Sequence, residues 1–211
     1  MWPDSDQTRE LLQQARDGEP AAVNQLLDRH RDAIKRMVDM RMDKMVQRRV
    51  DASDIVQEVL VEANRRLHDY LANPAMPFHL WLRSMAHDRL IDAHRRHRGA
   101  ARRSVNREQS LSVARYLDQS SLDLGAQIAD RELTPAAMAT WHELQVRFQN
   151  AIEQLEEGDR EVVLMRHFEH LSNGEVATAL GLSEPAAGMR YLRAMRKLRA
   201  FLEPDGQESQ A

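Results

Sequence analysis

A cluster of arginines near the middle of the chain is its clearest candidate for binding chemistry. No acidic residue interrupts this cluster, whose members are Arg95, Arg96, Arg98, Arg102 and Arg103. Guanidinium groups at this density attract polyanions, because they pair with phosphate oxygens. The alternative is a solvated helix end, since cations near a helix C-terminus also complement the helix dipole. The cluster alone leaves both interpretations open.

A second group of cations lies near the end of the chain. The segment Arg190–Arg199 contains five cations and no acid. Arg190, Arg193 and Lys197 are three and four residues apart, so we place them on one face of a helix. The face predicted to pack is nearly opposite and consists of Tyr191, Leu192, Met195, Leu198 and Leu202. A basic face opposite a packed face is what a helix in a DNA groove requires.

The residues before this basic helix predict a helix-turn-helix. Ser172-Asn173-Gly174-Glu175 is a capping box that opens a short helix, Val176 to Leu180. Gly181 suits the positive φ of a tight turn, and Ser183 can cap the last helix. In this motif the second helix enters the DNA major groove. An ordinary helical hairpin with a charged exterior is the alternative.

A polar row precedes the arginine cluster. Asp51 or Ser53 can cap a helix with one apolar side, and the other side carries Asp54, Gln57, Glu58, Glu62 and Arg65. Such a row is either a solvated face or a docking face for a protein partner. Leu71 to Pro77 is predicted to be a loop by its prolines, and a helix follows from Pro77. The apolar face of that helix, which leads into the arginine cluster, is Trp81, Leu82, Met85, Ala86, Leu90 and Ala93.

Composition predicts an all-α protein of two small helical domains joined by a flexible linker. The 211 residues carry a net charge of −3, with 30% charged and 5% aromatic residues, and strand-like runs are absent. Two helices before the polar row are predicted, one ending near Arg16 and one starting at Pro20 or Ala21. We expect domains at 1–100 and 141–203, a linker at 101–140 and a polar tail at 204–211.

The absence of cysteine excludes disulfides and thiolate zinc sites and suits a reducing cytoplasm. Neither a signal peptide nor a long apolar run is present, so we expect a cytoplasmic protein without membrane insertion. A metalloenzyme is a remote alternative, drawing on His79, His87, His94 and His97 with Asp88 and Asp92. No metal-binding or nucleophile motif accompanies these residues. We therefore expect no catalytic residue, no metal and no cofactor.

Two blocks of the chain resemble, in the family's order, the sigma-70 family of bacterial RNA polymerase initiation factors, and specifically its extracytoplasmic-function group. In the first block, LLDRHRDAIKRMV and DASDIVQEVLVEANRRL resemble the first conserved domain with its polymerase-binding helix. FHLWLRSMAHDRLIDAHRRHR resembles the helix that opens and reads the minus-ten promoter element. In the second block, DREVVLMRHFEHLSNGEVATALGLS and RYLRAMRKLR resemble the domain that binds the minus-thirty-five element. The order of the blocks makes the resemblance specific.

The resemblance implies a non-enzymatic subunit that binds polymerase core, selects a promoter and helps to open the DNA. Its partners would be the clamp of the largest polymerase subunit, the flap of the second-largest subunit, promoter DNA and an anti-sigma protein. The implied polymerase-binding residues are Asp51, Asp54, Gln57 and Glu58. Those implied for the minus-ten region are Asn73, Trp81, Asp88, Arg89, Arg95, Arg96 and Arg98. Those implied for the minus-thirty-five region are Ser183, Arg190, Arg193 and Lys197.

The chain departs from the family pattern at two places. Asp88 stands where members usually carry asparagine, and a carboxylate facing DNA repels phosphate unless it accepts a bond from a cytosine amine or an arginine. The last helix begins Ser183-Glu184-Pro185-Ala186-Ala187-Gly188-Met189, in which Ala186, Ala187 and Gly188 offer base edges no side-chain hydrogen bonds. We therefore expect recognition of the minus-thirty-five element to depend mainly on phosphate contacts and DNA shape. A two-domain DNA-binding regulator that acts without polymerase is the alternative function.

Overall fold

The computed structural model describes residues 2–3, 5–42, 44–101, 147–148 and 150–202. Within these ranges every regular element is a helix, and none of the helices is long and apolar enough to cross a membrane. The chain separates into two units, Met1–Ser112 and Val113–Ala211. The prediction of an all-α fold with two helical domains is confirmed. The predicted linker at 101–140 lies outside the described residues except for its first residue, and so does the predicted tail at 204–211.

Five helices form the described part of the first unit. They are α1 (Ser5–Arg16), α2 (Pro20–Arg41), α3 (Lys44–Gln47), α4 (Ala52–Ala72) and α5 (Phe78–Ala101). Gly18 takes a left-handed φ of 86° after α1, and Pro20 occupies the first turn of α2. Met42 becomes extended after α2, with φ −72° and ψ 124°. The breaks between helices therefore follow the glycine and proline signals of the sequence at α1 and α2.

The core of the first unit lies where α2, α4 and α5 meet. α2 packs against α1, α4 and α5, and α4 also packs against α5. Ile34, Val59 and Leu82 are fully buried, one from each of these three helices. The predicted apolar face of α5 is confirmed by the burial of Leu82, Met85, Ala86, Leu90 and Ala93. A fully buried side chain of this size contributes about 1.5–3 kcal/mol, so this half of α5 is firmly held.

The loop between α4 and α5 begins later than predicted. Leu71 and Ala72 belong to α4, and Asn73 ends the helix by donating its backbone N–H to the carbonyl of Asp69 at 3.2 Å. The prediction that the loop starts at Leu71 was wrong, because the prolines act on the chain only from residue 73 onward. The loop is therefore 73–77, a five-residue bridge between two long helices.

The second unit contains a helical segment at 150–154, then α6 (Glu157–Val163), α7 (Asn173–Leu180) and α8 (Glu184–Leu202). α6 passes directly into a π-helical turn, Leu164–Phe168. α8 packs against α6 and α7. The predicted helix from Trp141 to Leu155 falls partly outside the described residues, since 141–146 lie in the gap.

Buried His30 links the stability of the first unit to pH. Its Nδ1 donates to the carbonyl of Leu26 at 2.8 Å, its Nε2 has no hydrogen-bond partner among the described residues, and its ring meets the edge of Phe78. Burial lowers the pKa of His30 to about 4 from its ordinary 6.5, and the charges of His79 and Arg29 also lower it. The native state therefore holds His30 neutral, whereas an unfolded chain protonates it near pH 6.5.

We expect the first unit to lose stability as the pH falls from 6.5 to 4. The contribution of neutral His30 is complete above the unfolded pKa and vanishes near the folded one, a change on the order of 3 kcal/mol. Urea unfolding at a series of pH values measures it. His30→Leu is expected to flatten the pH dependence in this interval, while His68→Leu, at a residue whose side chain is 96% exposed, keeps it. An unchanged slope in His30→Leu would contradict the assignment.

Candidate nucleic-acid interfaces

The polar row on α4 faces solvent, and its carboxylate-bearing part, which is called the acidic face below, consists of Asp54, Glu58 and Glu62. Asp51 caps the helix by accepting the N–H of Ser53 at 2.7 Å, and this hydrogen bond lowers the pKa of Asp51. Asp54, Gln57 and Glu58 are exposed along the following two turns. Asp51 is therefore first a structural cap, whereas the next three residues present their polar groups to a partner.

Arg89 lies at the edge of this acidic face. Its guanidinium nitrogens are 4.0 Å from a carboxylate oxygen of Glu58 and 4.0 Å from one of Glu62. α4 and α5 enclose an open groove of about 580 Å³. The groove is lined by Glu58, Val61, Glu62, Arg89, Asp92, Arg95 and Arg96. The acidic face of α4 and the first two residues of the arginine cluster, Arg95 and Arg96, therefore border one groove, although they were assigned to different partners.

The arginine end of α5 is accessible. Arg95 and Arg96 are exposed, and Nε of Arg96 is 3.4 Å from the backbone carbonyl of Asp92. Asp88 is exposed on the same helix. Arg98 belongs to α5, but its side chain lies outside the described part. Two of the predicted phosphate-binding arginines thus face solvent, while Arg89 is directed toward α4.

An aromatic cluster supports the loop at 73–77. Tyr70 stacks on Trp81 with ring centroids 4.6 Å apart, and Phe78 contacts both rings. The Tyr70 hydroxyl donates to the carbonyl of Met76 at 2.9 Å, which ties the loop to α4. Asn73 is exposed on the loop, whereas Trp81 is half-buried. Trp81 therefore holds the loop from behind rather than offering an open face to a base.

The helix-turn-helix prediction agrees with the local geometry of the second unit. Ser172 and Glu175 exchange both bonds of a capping box, at 3.2 Å and 2.7 Å. Gly181 takes the left-handed conformation at φ 62° between α7 and α8. Ser183 accepts the N–H of Ala186 at 3.4 Å. α7 starts at Asn173 rather than at Val176 as predicted, because the capping box begins the helix directly after its serine.

The packed face of α8 differs from the predicted one. Its buried residues are Ala187, Ala194 and Leu198, whereas Leu192 is 48% exposed. The prediction is confirmed at Leu198, which is fully buried, and was wrong at Leu192, because the packed face is centred on Ala187, Ala194 and Leu198 and leaves Leu192 toward solvent. Arg196 and Arg199 are exposed and were not among the predicted DNA-binding residues. The sequence signal for them was the segment Arg190–Arg199, which contains five cations and no acid.

The predicted basic ridge of α8 is partly engaged with α6. Lys197 donates to the buried carboxylate of Asp159 at 2.8 Å, and Arg193 lies 3.8 Å from that carboxylate. The bond to Asp159 raises the pKa of Lys197. The guanidinium of Arg190 lies beside Gly158. The placement of this ridge nearly opposite the packed face was wrong, since Arg190 and Lys197 flank that face.

The bond between Asp159 and Lys197 is expected to stabilise the second unit. Asp159→Ala removes a charge-assisted hydrogen bond and should lower the free energy of unfolding of the second unit by about 1.5–3 kcal/mol. Glu156→Ala is the matched control, because Glu156 lies 3.5 Å from the same ammonium but is 83% exposed, and should cost less than about 0.5 kcal/mol. Urea unfolding of the two variants compares them. Equal effects would show that the burial of Asp159 adds nothing.

Besides the bond between Asp159 and Lys197, a second set of side-chain contacts holds α8 to the π-helical turn. Nε2 of His167 lies 2.7 Å from the hydroxyl of Tyr191, and the guanidinium of Arg166 lies over the Tyr191 ring at 5.6 Å. Burial lowers the pKa of His167 to about 4, so it is neutral near pH 7. In the described residues, no group of three or more histidine and acidic side chains is arranged to hold a metal ion. The proposed metal-binding histidines therefore do not form such a cluster among the side chains described.

Known proteins share both units of this chain. The family models Sigma-70 region 2 and Sigma-70, region 4 match residues 26–100 and 145–198. RNA polymerase sigma factor CnrH of Cupriavidus metallidurans is 30% identical over 203 residues, which cover 96% of this chain and 98% of CnrH. RNA polymerase sigma factor NccH of Alcaligenes xylosoxydans xylosoxydans is 27% identical over 92% of this chain and 93% of NccH.

A solved structure extends the likeness to three dimensions. The structure of CnrH in complex with the cytosolic domain of CnrY matches 95% of this chain and 100% of that chain, with a TM-score of 0.60 and 26% identity. The two family models cover the helices that carry the acidic face of α4, the loop at 73–77 and the helix-turn-helix. The chain therefore belongs to the sigma-70 family of bacterial RNA polymerase sigma factors, in its extracytoplasmic-function group.

Proposed function

We propose that this sigma factor works through three surfaces: the acidic face of α4, the loop at 73–77 with the arginine end of α5, and the solvent face of α8. The observation that carries the proposal is that described members of each surface are exposed within the two family domains: Asp54 and Glu58, Asn73 with Arg95 and Arg96, and Arg193 with Arg196. Rigid supports matter here, because side chains fixed by packing bind without a large ordering cost.

The acidic face of α4 docks on the polymerase core. Asp54, Gln57 and Glu58 make the contact with the clamp of the largest subunit, and Asp51 holds the start of the helix in place. Exposed carboxylates suit a basic partner surface, because complementary charge speeds association and fixes the register of docking. Arg89 lies 4.0 Å from a carboxylate oxygen of Glu58 and 4.0 Å from one of Glu62, so it offsets part of their negative charge. The second domain contacts the flap of the second-largest subunit.

The loop and the arginine end of α5 act on the minus-ten element. Asn73 and its loop take up an unstacked base, and the Tyr70–Trp81 stack keeps the loop in shape. Unstacking a base costs a few kcal/mol, and a prepared pocket offsets that cost. Arg95, Arg96 and Arg98 hold the neighbouring phosphates. Asp88 accepts a bond from a base amine, and that of cytosine is the usual partner of a carboxylate.

α8 binds the minus-thirty-five element in the major groove. Ser183 caps its first turn, and Arg193, which is only loosely paired with Asp159, can turn to a phosphate. Lys197 and Arg190 position α8 against α6 and contribute positive charge near the backbone. Arg196 and Arg199 add phosphate contacts, since both are exposed along the same helix.

The protein has no chemistry of its own in this proposal and acts in the cytoplasm, where polymerase and DNA are found. The polymerase supplies catalysis, and the sigma factor supplies promoter selection and strand opening. The solved relative CnrH was determined in complex with the cytosolic domain of CnrY. By that similarity we include an anti-sigma protein among the partners of this chain.

Run-off transcription with core polymerase on a pool of genomic promoter fragments tests the proposed function. We expect discrete transcripts that core polymerase alone does not make. Transcription no different from core alone would refute the proposal. A regulator that acts without polymerase would instead retard a short duplex by itself, so binding of the isolated protein to the selected promoters is measured in parallel.

A further inference from the structure

The solvent face of α8 presents an apolar side chain where a helix enters the major groove. Met189 is 60% exposed, and Pro185 and Ala186 are exposed one turn before it. Arg196 follows Met189 by seven residues, two helical turns along the same side. Arg193 is exposed by 58% of its side chain and lies one turn after Met189. One face of α8 thus runs from an apolar beginning to a basic end.

The first turn of α8, Glu184 to Ala187, carries no arginine, lysine, asparagine or glutamine, the side chains that bind a guanine or adenine edge through two hydrogen bonds. Glu184 is held back toward α7, because its carbonyl accepts a bond from the Asn173 amide at 2.9 Å and its carboxylate lies beside Gly174. The hydroxyl of Ser183 accepts the N–H of Ala186 and so caps the helix, which leaves its single O–H as a short donor at the helix end. The residues that remain on the outer side of the first two turns are Pro185, Ala186 and Met189. Readout of guanine or adenine through paired hydrogen bonds from one long side chain is therefore absent at this end of the helix.

We propose that Met189 selects thymine in the minus-thirty-five element by packing against its C5-methyl group. Thymine is the base that presents a methyl group in the major groove, and an apolar side chain recognises it there. This inference rests on the proposed function, because it assigns a specificity to the same DNA-binding helix. Arg193 and Arg196 make a DNA duplex the occupant of this face, since two cations beside the methionine suit phosphates better than they suit an apolar protein surface.

Removal of one methyl group gives the expected size of the effect. Burying one methyl or methylene group is worth about 0.8 kcal/mol, which corresponds to about a fourfold change in affinity. Uracil lacks only this methyl group. A thymine-to-uracil replacement in the contacted position should therefore weaken binding about fourfold while leaving base pairing unchanged.

The experiment uses holoenzyme assembled from core polymerase and the full chain. A minus-thirty-five element is first selected with wild-type holoenzyme, and each thymine in it is then replaced by uracil, one at a time. We expect about fourfold weaker binding at one or two positions, measured by fluorescence anisotropy. Met189→Ala should bind the thymine and uracil duplexes equally. Arg196→Ala is the control, because it should weaken binding to both duplexes alike and reduce the salt dependence while keeping the fourfold ratio.

Three outcomes would overturn the inference. If no uracil position weakens wild-type binding, thymine is not read through its methyl group. If Met189→Ala retains the wild-type ratio, the difference arises from DNA shape instead. If Met189→Ala weakens binding to core polymerase and leaves the ratio unchanged, the exposed methionine serves a protein contact. Failure of wild-type holoenzyme to select any promoter would refute the proposed function itself, which is a separate result.

Discussion

Reversing two charges on the acidic face of α4 is expected to weaken the affinity for core polymerase strongly. In Asp54→Lys with Glu58→Lys, two exposed carboxylates one turn apart become cations. If they meet basic groups of the polymerase, each attraction becomes a repulsion, and we expect a loss of about 30-fold or more, equivalent to about 2 kcal/mol. Titration of labelled protein with core polymerase measures this loss, and run-off transcription should fall with it.

A matched pair on α2 controls for charge. Asp28→Lys with Asp32→Lys makes the same change of net charge at two exposed positions with the same spacing, and should leave binding within about twofold. Neither double variant alters the core, so the free energy of unfolding in urea should stay within about 1.5 kcal/mol of wild type for each and leave both proteins folded. If both variants weaken binding equally, α4 is not the docking face and net charge governs the interaction.

Truncating Phe78 is expected to be among the most damaging single changes to the first unit. Phe78 is 3% exposed and contacts the rings of His30, Tyr70 and Trp81. Phe78→Ala therefore leaves a cavity below the loop at 73–77 and should lower the free energy of unfolding by about 3–5 kcal/mol. Because the cavity frees the Tyr70–Trp81 stack, promoter opening measured with a fluorescent base in the minus-ten element should also fall.

Two variants separate stability from loop support. Phe201→Ala makes the same substitution at a phenylalanine that is 43% exposed, and should cost less than about 1 kcal/mol. Phe78→Leu keeps much of the volume and should cost less than about 1.5 kcal/mol. We expect Phe78→Leu to open promoters more slowly than wild type at a temperature where the protein is fully folded. Normal opening by Phe78→Leu would show that the ring contacts serve stability alone.

Helix ends with short-range signals were predictable from the sequence. Three such signals are the capping box at Ser172, the turn at Gly181 and the cap at Asp51. Each of them is set by residues only a few positions apart in the chain. Their geometry is therefore largely independent of the rest of the fold. The end of α4 was missed by two residues, because a proline constrains its immediate predecessor and does not reach further back.

The orientation of α8 was beyond sequence reasoning. A helical pattern with leucines and methionines on one side suggested that Leu192 and Met195 would pack together. The structure instead buries Ala187 and Ala194, because close approach to α6 and α7 favours small side chains. Leu192 is therefore left toward solvent, whereas Leu198, which was also predicted to pack, is fully buried. Periodicity gives the spacing of a face, but the partners decide which of several possible faces packs.

The sequence by itself determined the family, the all-α class, the two-domain order and the arginines Arg95, Arg96 and Arg98 of α5, since all of these follow from local patterns and their order along the chain. Tertiary structure alone decided which charged side chains form ion pairs with one another. Arg89 meets Glu58 from another helix, and Lys197 meets Asp159, 38 residues earlier in the chain. Such pairs depend on the packing of whole helices, which a local pattern does not encode. Of the residues expected to touch DNA, it is therefore the fold that separates those facing solvent from those already paired.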